Sequence, residues 1–233
     1  METQFKLGTS GAKLETVPQT TTLELRPWNV SEGIREHFRR VRSTLNLSSR
    51  QGPFCVAVCS TSRGEGVSWV TAMLSCAIAE EVDPIFVIDY NRSHPSQDKI
   101  FGVDQDPGEL MIQPDPVNLL ARRTTQFNIC ILTPEANAPN AQEFAFPLRD
   151  ALPNLRQMVK GILIDCEPTR VSSHLLNLAP AIDGVIFVVE AERERREVVA
   201  RELESIRRAG LRVFGIVLNK RKRYIPGWLY RAL

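Results

Sequence analysis

A glycine-rich turn between an apolar run and a helical pattern is the feature that most limits how this chain can fold. The apolar run Phe54–Cys59 precedes the turn Gly64-Glu65-Gly66-Val67-Ser68, and an apolar helical pattern follows over Ser68–Glu80. Such a turn places backbone N–H groups and the positive end of a helix dipole where an anion can bind. The order strand, glycine turn, helix therefore predicts a phosphate-binding loop.

The loop lacks its usual cation. In an intact P-loop the last glycine is followed by Lys and then by Ser or Thr. Here Val67 stands at the lysine position, and Ser68 keeps the hydroxyl that can bind magnesium. One unit charge at about 4 Å is worth roughly 4 kcal/mol at an effective dielectric constant near 20, so its loss predicts impaired phosphoryl transfer. Three arginines are candidates for restoring part of the charge, from this or a neighbouring subunit: Arg63, Arg122 and Arg123.

Short apolar runs alternate with helical patterns over the rest of the chain. The runs are continuously apolar, as is typical of strands that are covered on both faces. Their alternation with helices predicts an α/β fold, a P-loop NTPase-like three-layer sandwich with a mainly parallel central sheet. The predicted strands are Phe54–Cys59, Ile85–Ile88, Ile129–Leu132, Gly161–Ile164, Gly184–Val189 and Val213–Leu218.

Domain limits follow from the same patterns. Residues 1–28 are rich in Thr, Gly and Pro and predict a flexible leader, so residues 29–233 form the predicted P-loop domain. Ser31 is a candidate N-cap for a first helix with apolar positions at helical spacing. A last helix is predicted over Arg193–Ala209, ending at Gly210.

Charge and composition narrow the function classes. A formal net charge of +2 is too small to indicate nucleic-acid binding. No apolar run has transmembrane length and no signal-peptide pattern is present, which predicts a cytoplasmic protein. The five cysteines form no CxxC pair and predict buried free thiols. The basic run of residues 220–223 is compatible with a solvated tail or with contact to an anionic membrane or acidic partner.

Two aspartates follow apolar strand runs on the side of the sheet where the loop lies. Asp89 and Asp165 each allow two interpretations, a helix cap or turn residue, or a carboxylate that organises magnesium or water. Two such residues downstream of a glycine loop favour the second. The predicted magnesium ligands are therefore Ser68, Asp89 and Asp165.

The order of these motifs resembles the cytoplasmic domain of bacterial tyrosine autokinases of capsule and exopolysaccharide assembly, which are related to the MinD/ParA ATPases. The resemblance runs from about Ser31 to the C-terminus. It rests on Glu36, Arg39 and Arg42 in a Glu-x-x-Arg-x-x-Arg motif, on the glycine loop, and on Ile88-Asp89-Tyr90-Asn91, Ile162-Leu163-Ile164-Asp165 and Gly215-Ile216-Val217-Leu218-Asn219.

The resemblance implies ATP or ADP with Mg²⁺ as cofactors, weakened here by Val67, and Asp89, Asn91 and Asp165 as catalytic positions. Asn91 stands where relatives often have a second Asp, and Glu167 replaces a proline. The implied nucleotide-binding residues are Gly64, Glu65, Gly66, Val67, Ser68, Trp69 and Asn219. The implied interface of a homo-oligomer is formed by Glu36, Arg39 and Arg42.

The C-terminus and the candidate functions complete the sequence-based predictions. Tyr224 and Tyr230 are possible phosphorylation sites, although the apolar tail around Trp228 favours docking. The first hypothesis is a catalytically impaired cytoplasmic regulator of a polysaccharide co-polymerase-type inner-membrane protein, associated with the membrane through that partner. The alternatives are an active tyrosine autokinase or ATPase with a non-standard loop, and a MinD/ParA-like positioning ATPase. The third is disfavoured because Ser62 stands where those ATPases have a further lysine.

Overall fold

The computed structural model describes residues 26–46, 52–104, 110–112, 119–134 and 141–221. Its helices are α1 Glu32–Leu45, α2 Val67–Ala79, α3 Gln97–Phe101, α4 Ala141–Met158, α5 His174–Asn177 and α6 Arg196–Arg208. Its strands are β1 Phe54–Ser60, β2 Ile85–Tyr90, β3 Leu110–Ile112, β4 Leu119–Arg123, β5 Ile129–Pro134, β6 Gly161–Cys166, β7 Gly184–Glu190 and β8 Val213–Asn219.

The eight strands form one sheet in the order β3-β4-β5-β2-β6-β1-β7-β8. The six strands from β5 to β8 in that order are parallel, and β4 pairs antiparallel with both β5 and β3. This arrangement confirms the predicted α/β sandwich with a mainly parallel sheet. The glycine loop follows β1, and β6, which carries Asp165, is the strand next to β1. The loop therefore lies beside the strand ends that carry Asp89 and Asp165.

The two faces of the sheet carry separate apolar cores. In β1, Cys55, Ala57 and Cys59 face one core, and Phe54, Val56 and Val58 face the other. Helices α1, α2 and α3 cover the second face, while α4, α5 and α6 cover the first. Burial on both faces explains why these strands are continuously apolar rather than alternating.

All six predicted strands are present, and each extends one or two residues beyond its predicted end. The additional residues are mostly polar, so the apolar pattern ends before the backbone ladder does. Two strands were not predicted, β3 and β4; β4 contains Arg122 and Arg123 and lies near the sheet edge. Helix α4 was not among the helices predicted from apolar periodicity, and Pro147 and Pro153 lie inside it.

The folded part of the described chain includes the last residues of the predicted leader. The Trp28 ring lies 6.0 Å from that of Phe101, and the Arg26 guanidinium donates to the Lys99 carbonyl oxygen at 2.6 Å. Residues 26–28 therefore pack on α3. Residues 1–25 lie outside the described residues, so the rest of the leader prediction stays a prediction.

The cysteines agree with the predicted free thiols. All five are unpaired, four of them buried and Cys130 half-buried. Burial raises the pKa of the Cys55 thiol to about 12. A thiol that resists deprotonation is a poor nucleophile, so these residues serve packing.

Candidate functional site

The glycine loop connects the end of β1 to the start of α2. Gly64 and Gly66 have φ of 85° and 89°, in the left-handed region that favours glycine. A Cβ atom at Gly66 would lie 2.3 Å from Nδ2 of Asn219, so a side chain cannot fit there. The glycines predicted from the sequence are thus required by the backbone of the loop and by its close contact with β8.

Val67 is the first residue of α2, and its side chain is only 8% exposed. It belongs to the core between the sheet and helices α1 to α3. A lysine at this position would extend beyond the core and present an ammonium group, whereas Val67 ends within the packing. The position that normally holds a phosphate-binding charge therefore contributes only apolar contact.

Glu65 points into the protein and not toward solvent. Its carboxylate is fully buried and accepts hydrogen bonds from the backbone N–H groups of Ser62, at 2.7 Å, and Glu190, at 3.3 Å. Burial raises the pKa of this carboxyl above its usual value. The side chain thus braces the loop against the end of β7, and any contribution of Glu65 to phosphate binding must come from its backbone.

Asn219 and Trp69, both predicted to bind nucleotide, lie at the two ends of this region, on β8 and α2. The Asn219 amide donates to the carbonyl oxygen of Glu65 at 2.8 Å and so joins the end of β8 to the loop. Trp69 is half-buried and packs against the core that contains Val67. Both residues lie at the predicted site, and in the structure their described contacts are to the protein.

Asp89 and Asp165 are register partners in the adjacent strands β2 and β6. Asp89 accepts hydrogen bonds from the backbone N–H groups of Ser96 at 2.7 Å, Gln97 at 2.9 Å and Asn91 at 3.2 Å. Burial raises its pKa, and the three hydrogen bonds oppose that rise. Asp89 therefore holds the backbone at the start of α3 from within β2; its magnesium role stays a prediction.

Asp165 is fully buried and is held by a residue that the sequence analysis missed. Its Oδ2 accepts from the Gln97 side-chain amide at 2.7 Å, and that amide also donates to the Ser68 carbonyl oxygen at 3.0 Å. Burial and the Asp89 charge raise the pKa of Asp165, and the Ser68 hydroxyl opposes that rise. Gln97 follows Asp89 by eight residues in a segment without apolar periodicity, so only its position in the fold reveals it.

The oxygen atoms at this strand end are of the kind that bind a hard divalent cation. Asp165 Oδ1 is buried and has no hydrogen-bond partner among the described residues. Together with the Ser68 hydroxyl it offers the oxygen ligands that Mg²⁺ prefers. Within the described ranges, no group of three or more His, Cys, Asp or Glu side chains is arranged to hold a metal by itself. A cation here would therefore take its other ligands from water or from the phosphate oxygens of a nucleotide.

Comparison with known proteins gives consistent relatives. No protein-family model matches the chain. It is 24% identical over 192 residues to the putative tyrosine-protein kinase CapB of Staphylococcus aureus, covering 80% of this chain and 84% of CapB. It is 21% identical over 198 residues to the tyrosine-protein kinase CpsD of Streptococcus agalactiae, covering 79% and 82%.

The chain is a homologue of the bacterial tyrosine-protein kinases CapB and CpsD.

Solved structures agree on the fold. The VpsO kinase domain superposes with a TM-score of 0.68 at 23% identity, covering 81% of this chain and 96% of that domain. The chimerical protein CapA2B2 gives 0.67 at 20% identity, covering 81% and 85%. The septum site-determining protein MinD of Pyrococcus horikoshii, solved with Mg-ADP, gives 0.56 at 21% identity, covering 77% and 76%. This homologue of CapB and CpsD therefore has the P-loop NTPase-like fold that the VpsO kinase domain and MinD share.

The cations around the loop come from elsewhere in the fold. Lys220, directly after β8, donates from Nζ to the Gly64 carbonyl oxygen and lies 3.3 Å from Glu190 Oε2. Arg193 NH1 lies 2.8 Å from the same Glu190 oxygen. The exposed Arg63 contacts His94, with 3.0 Å between NH1 and Nε2.

Two arginines predicted as possible replacements for the loop lysine are engaged on β4. Arg122 NH1 lies 2.7 Å from Asp98 Oδ2, and the same nitrogen donates to Thr133. The Arg123 guanidinium reaches the side-chain oxygen of Asn128 at 3.4 Å. Within this chain neither contacts the glycine loop in any described hydrogen bond or ion pair.

Glu167 replaces a family proline and makes contacts of its own. It is 8% exposed and accepts from the backbone N–H of Ser93 at 3.1 Å and from the Ser93 hydroxyl. Its other oxygen lies 3.6 Å from His174 Nδ1. Glu167 therefore ties the end of β6 to the segment between Asp89 and α3, which no motif in the sequence indicated.

The predicted oligomer motif lies on α1 beside the end of α2. Arg42 is 8% exposed and donates to the Ala77 carbonyl oxygen and to Glu81. Arg39 donates to both oxygens of Glu80, at 2.8 and 2.9 Å. Arg42 therefore joins α1 to α2, and the half-exposed Arg39 together with Glu36 leaves an outer charged face. Whether that face joins two subunits stays a prediction.

The remaining sequence predictions concern the C-terminus and the membrane. Tyr224 and Tyr230 lie outside the described residues. No helix in the described parts of the chain is both long enough and apolar enough to cross a membrane.

Proposed function

We propose that this chain is a tyrosine autokinase-like protein that binds adenine nucleotide with Mg²⁺ but transfers phosphate poorly. In this proposal it acts in the cytoplasm as a regulator of a polysaccharide co-polymerase-type membrane protein in capsule or exopolysaccharide assembly. The observation that carries it is that Val67, at the lysine position, is buried in the core while the two glycines of the loop are kept.

The parts that remain support nucleotide binding. Gly64 and Gly66 have the left-handed backbone conformation of a glycine loop, and the Asn219 amide on β8 and the Glu190 backbone N–H on β7 hold the loop through Glu65. Asp165 Oδ1 has no hydrogen-bond partner among the described residues, and the Ser68 hydroxyl lies beside the same carboxylate. When bound, Mg²⁺ would neutralise phosphate charge, while the chain's own residues orient the nucleotide at the ends of the parallel strands.

The missing charge supports impaired transfer. The P-loop lysines of phosphoryl-transfer enzymes stabilise charge that grows on the transferred group. Val67 offers no such charge, and Asn91 is a poor proton acceptor where relatives often have an Asp. The kinds of protein named among the homologues, tyrosine-protein kinases CapB and CpsD, support capsule or exopolysaccharide assembly as the setting.

The first prediction concerns Val67→Lys, which restores the charge at its family position. We expect tighter MgATP binding by about ten-fold or more, because a charged hydrogen bond to phosphate is worth roughly 1.5–3 kcal/mol. We also expect a rise in tyrosine phosphorylation when labelled ATP is supplied. Calorimetry and phosphotyrosine detection measure these two effects.

Val67→Met is the matched control, because it adds a side chain of similar length without charge. If Val67→Met gained as much MgATP affinity as Val67→Lys, the result would show that charge is not the missing element. Rapid autophosphorylation by the unmodified chain, abolished in Asp165→Asn, would contradict catalytic impairment and favour the active autokinase alternative.

A further inference from the structure

Lys220 is the one cation that contacts the glycine loop directly among the described hydrogen bonds. Its Nζ donates to the carbonyl oxygen of Gly64, two residues before the second glycine. Its side chain is 47% exposed, so the ammonium group lies at the protein surface beside the loop. In the sequence analysis Lys220 belongs only to the basic run of residues 220–223, interpreted as a solvated tail or as a contact to an anionic membrane or acidic partner.

The backbone at Lys220 is held in an unusual conformation. Its φ is 55°, in the left-handed region that non-glycine residues rarely adopt. Such a conformation persists only where the surrounding contacts maintain it, and it is found more often at functional sites. Here it turns the chain immediately after Asn219, so that Asn219 and Lys220 contact successive carbonyl groups of the loop, those of Glu65 and Gly64.

Glu190 holds the Lys220 ammonium group beside the loop. Its Oε2 lies 3.3 Å from Lys220 Nζ and 2.8 Å from Arg193 NH1. Two cations therefore share this carboxylate, and the carboxylates of Glu194 and Glu65 also interact with Arg193. Lys220 is thus the cation of this group that contacts the loop backbone in a described hydrogen bond. The Glu190 backbone N–H binds Glu65, so the carboxylate is itself anchored to the loop.

We propose that Lys220 supplies the positive charge that the loop lacks and binds the phosphate chain of a nucleoside di- or triphosphate. Glu190 positions the ammonium group, and Arg193 is a second cation on the same carboxylate. An ammonium group on a flexible stem can exchange the Gly64 carbonyl for a phosphate oxygen with a small displacement. This inference rests on the proposed nucleotide-binding function and names the residue that sustains it.

The test compares nucleotide binding by the full chain and its variants, with MgADP as the probe in calorimetry. We expect Lys220→Met to weaken MgADP binding about ten-fold, the lower end of what a charged hydrogen bond contributes. We also expect its affinity to depend less steeply on salt, because one fewer ion pair forms. Lys220→Arg should retain most of the affinity.

Lys160→Met is the matched control. Lys160 is also an exposed lysine, but it precedes β6 and so lies at the amino ends of the parallel strands, whereas the loop lies at their carboxyl ends. We expect its MgADP affinity and salt dependence to equal those of the unmodified chain. Thermal melts of each variant confirm folding before affinities are compared.

A rescue experiment separates charge from structure. Adding Val67→Lys to Lys220→Met should restore the lost affinity, since the charge returns by another route. Unchanged MgADP affinity in Lys220→Met would overturn the inference and leave the proposed function standing. Failure of the unmodified chain to bind MgADP would overturn both. Loss in Lys220→Met without rescue would assign Lys220 to loop structure and also overturn the inference.

Discussion

Asp89 and Asp165 show how single residues acquire unusual properties from their neighbours in the sheet. They stand at paired positions of β2 and β6, both buried, with Gln97 hydrogen-bonded to each. A buried carboxylate without a cation is unfavourable in its charged form, so the pKa of each is raised. The fold thus keeps two acidic groups close together, a state that Mg²⁺ would relieve.

Asp165→Asn is predicted to change the pH dependence of stability. A carboxyl whose folded pKa exceeds its unfolded value stabilises the fold while protonated, and this stability is lost as pH rises above about 4 toward the raised folded pKa. We therefore expect Asp165→Asn, without nucleotide or metal, to be more stable than the unmodified chain at about pH 8, by roughly 1–3 kcal/mol. At about pH 5 we expect a smaller difference between their free energies of unfolding. Urea unfolding at both pH values measures this.

Asp150→Asn provides the comparison for that experiment, because Asp150 is an exposed carboxylate on α4. Its stability should follow the unmodified chain at both pH values. An Asp165→Asn curve parallel to that of the unmodified chain would show that the Asp165 carboxyl does not destabilise the fold when charged.

The contact between α1 and α2 shows that the properties of a whole helix also depend on its neighbours in the fold. Helix α1 has an apolar side that includes Phe38 and Leu45, which the helical spacing in the sequence indicated. The charged side is less regular, because the Arg42 guanidinium is buried against the last turn of α2. A cation at a helix C-terminus satisfies carbonyl groups that lack partners within the helix and is favoured by the helix dipole.

Arg42→Met is predicted to lower the free energy of unfolding by about 2–4 kcal/mol, because it leaves buried acceptors of α2 without their charged donor. Arg40→Met on the same helix is the control, since the Arg40 side chain is 77% exposed and pairs only with Glu36 among the described ion pairs. We expect its effect to stay within about 0.5 kcal/mol. Equal effects in urea unfolding would show that Arg42 does not join α1 to α2.

The whole molecule presents two surfaces on different elements. The strand ends carry the loop, Asp165 and Lys220, and α1 carries the outer charged face formed by Glu36 and Arg39. In the proposed function the first surface binds nucleotide, and the second is the subunit interface predicted from the sequence. Both lie next to α2, whose first residue is Val67 and whose end contacts Arg42.

The interface prediction is tested by mass in solution. We expect the unmodified chain to form a homo-oligomer and Arg39→Ala to lower its mass in light scattering, because Arg39 supplies charge to the outer face. A melting temperature close to that of the unmodified chain would exclude unfolding as the cause. A monomeric unmodified chain, or an unchanged mass in Arg39→Ala, would show that this face does not join subunits.

The sequence by itself determined the main architecture and the position of the loop. Strands covered on both faces are necessarily apolar along their length, so β1 and the other five parallel strands were predictable, as were the glycines with positive φ. Val67 at the lysine position was equally visible, because the motif lies within a few adjacent residues.

Tertiary structure alone decided which distant side chains complete the site. Gln97 on α3 reaches Asp165, Lys220 after β8 reaches the Gly64 carbonyl oxygen, and the backbone N–H of Glu190 on β7 binds Glu65. No periodic pattern marks these residues, and their roles depend on strands that are adjacent in space but far apart in sequence. Local patterns record which side of an element is buried, whereas contacts between polar groups of different elements exist only after the sheet has brought their ends together.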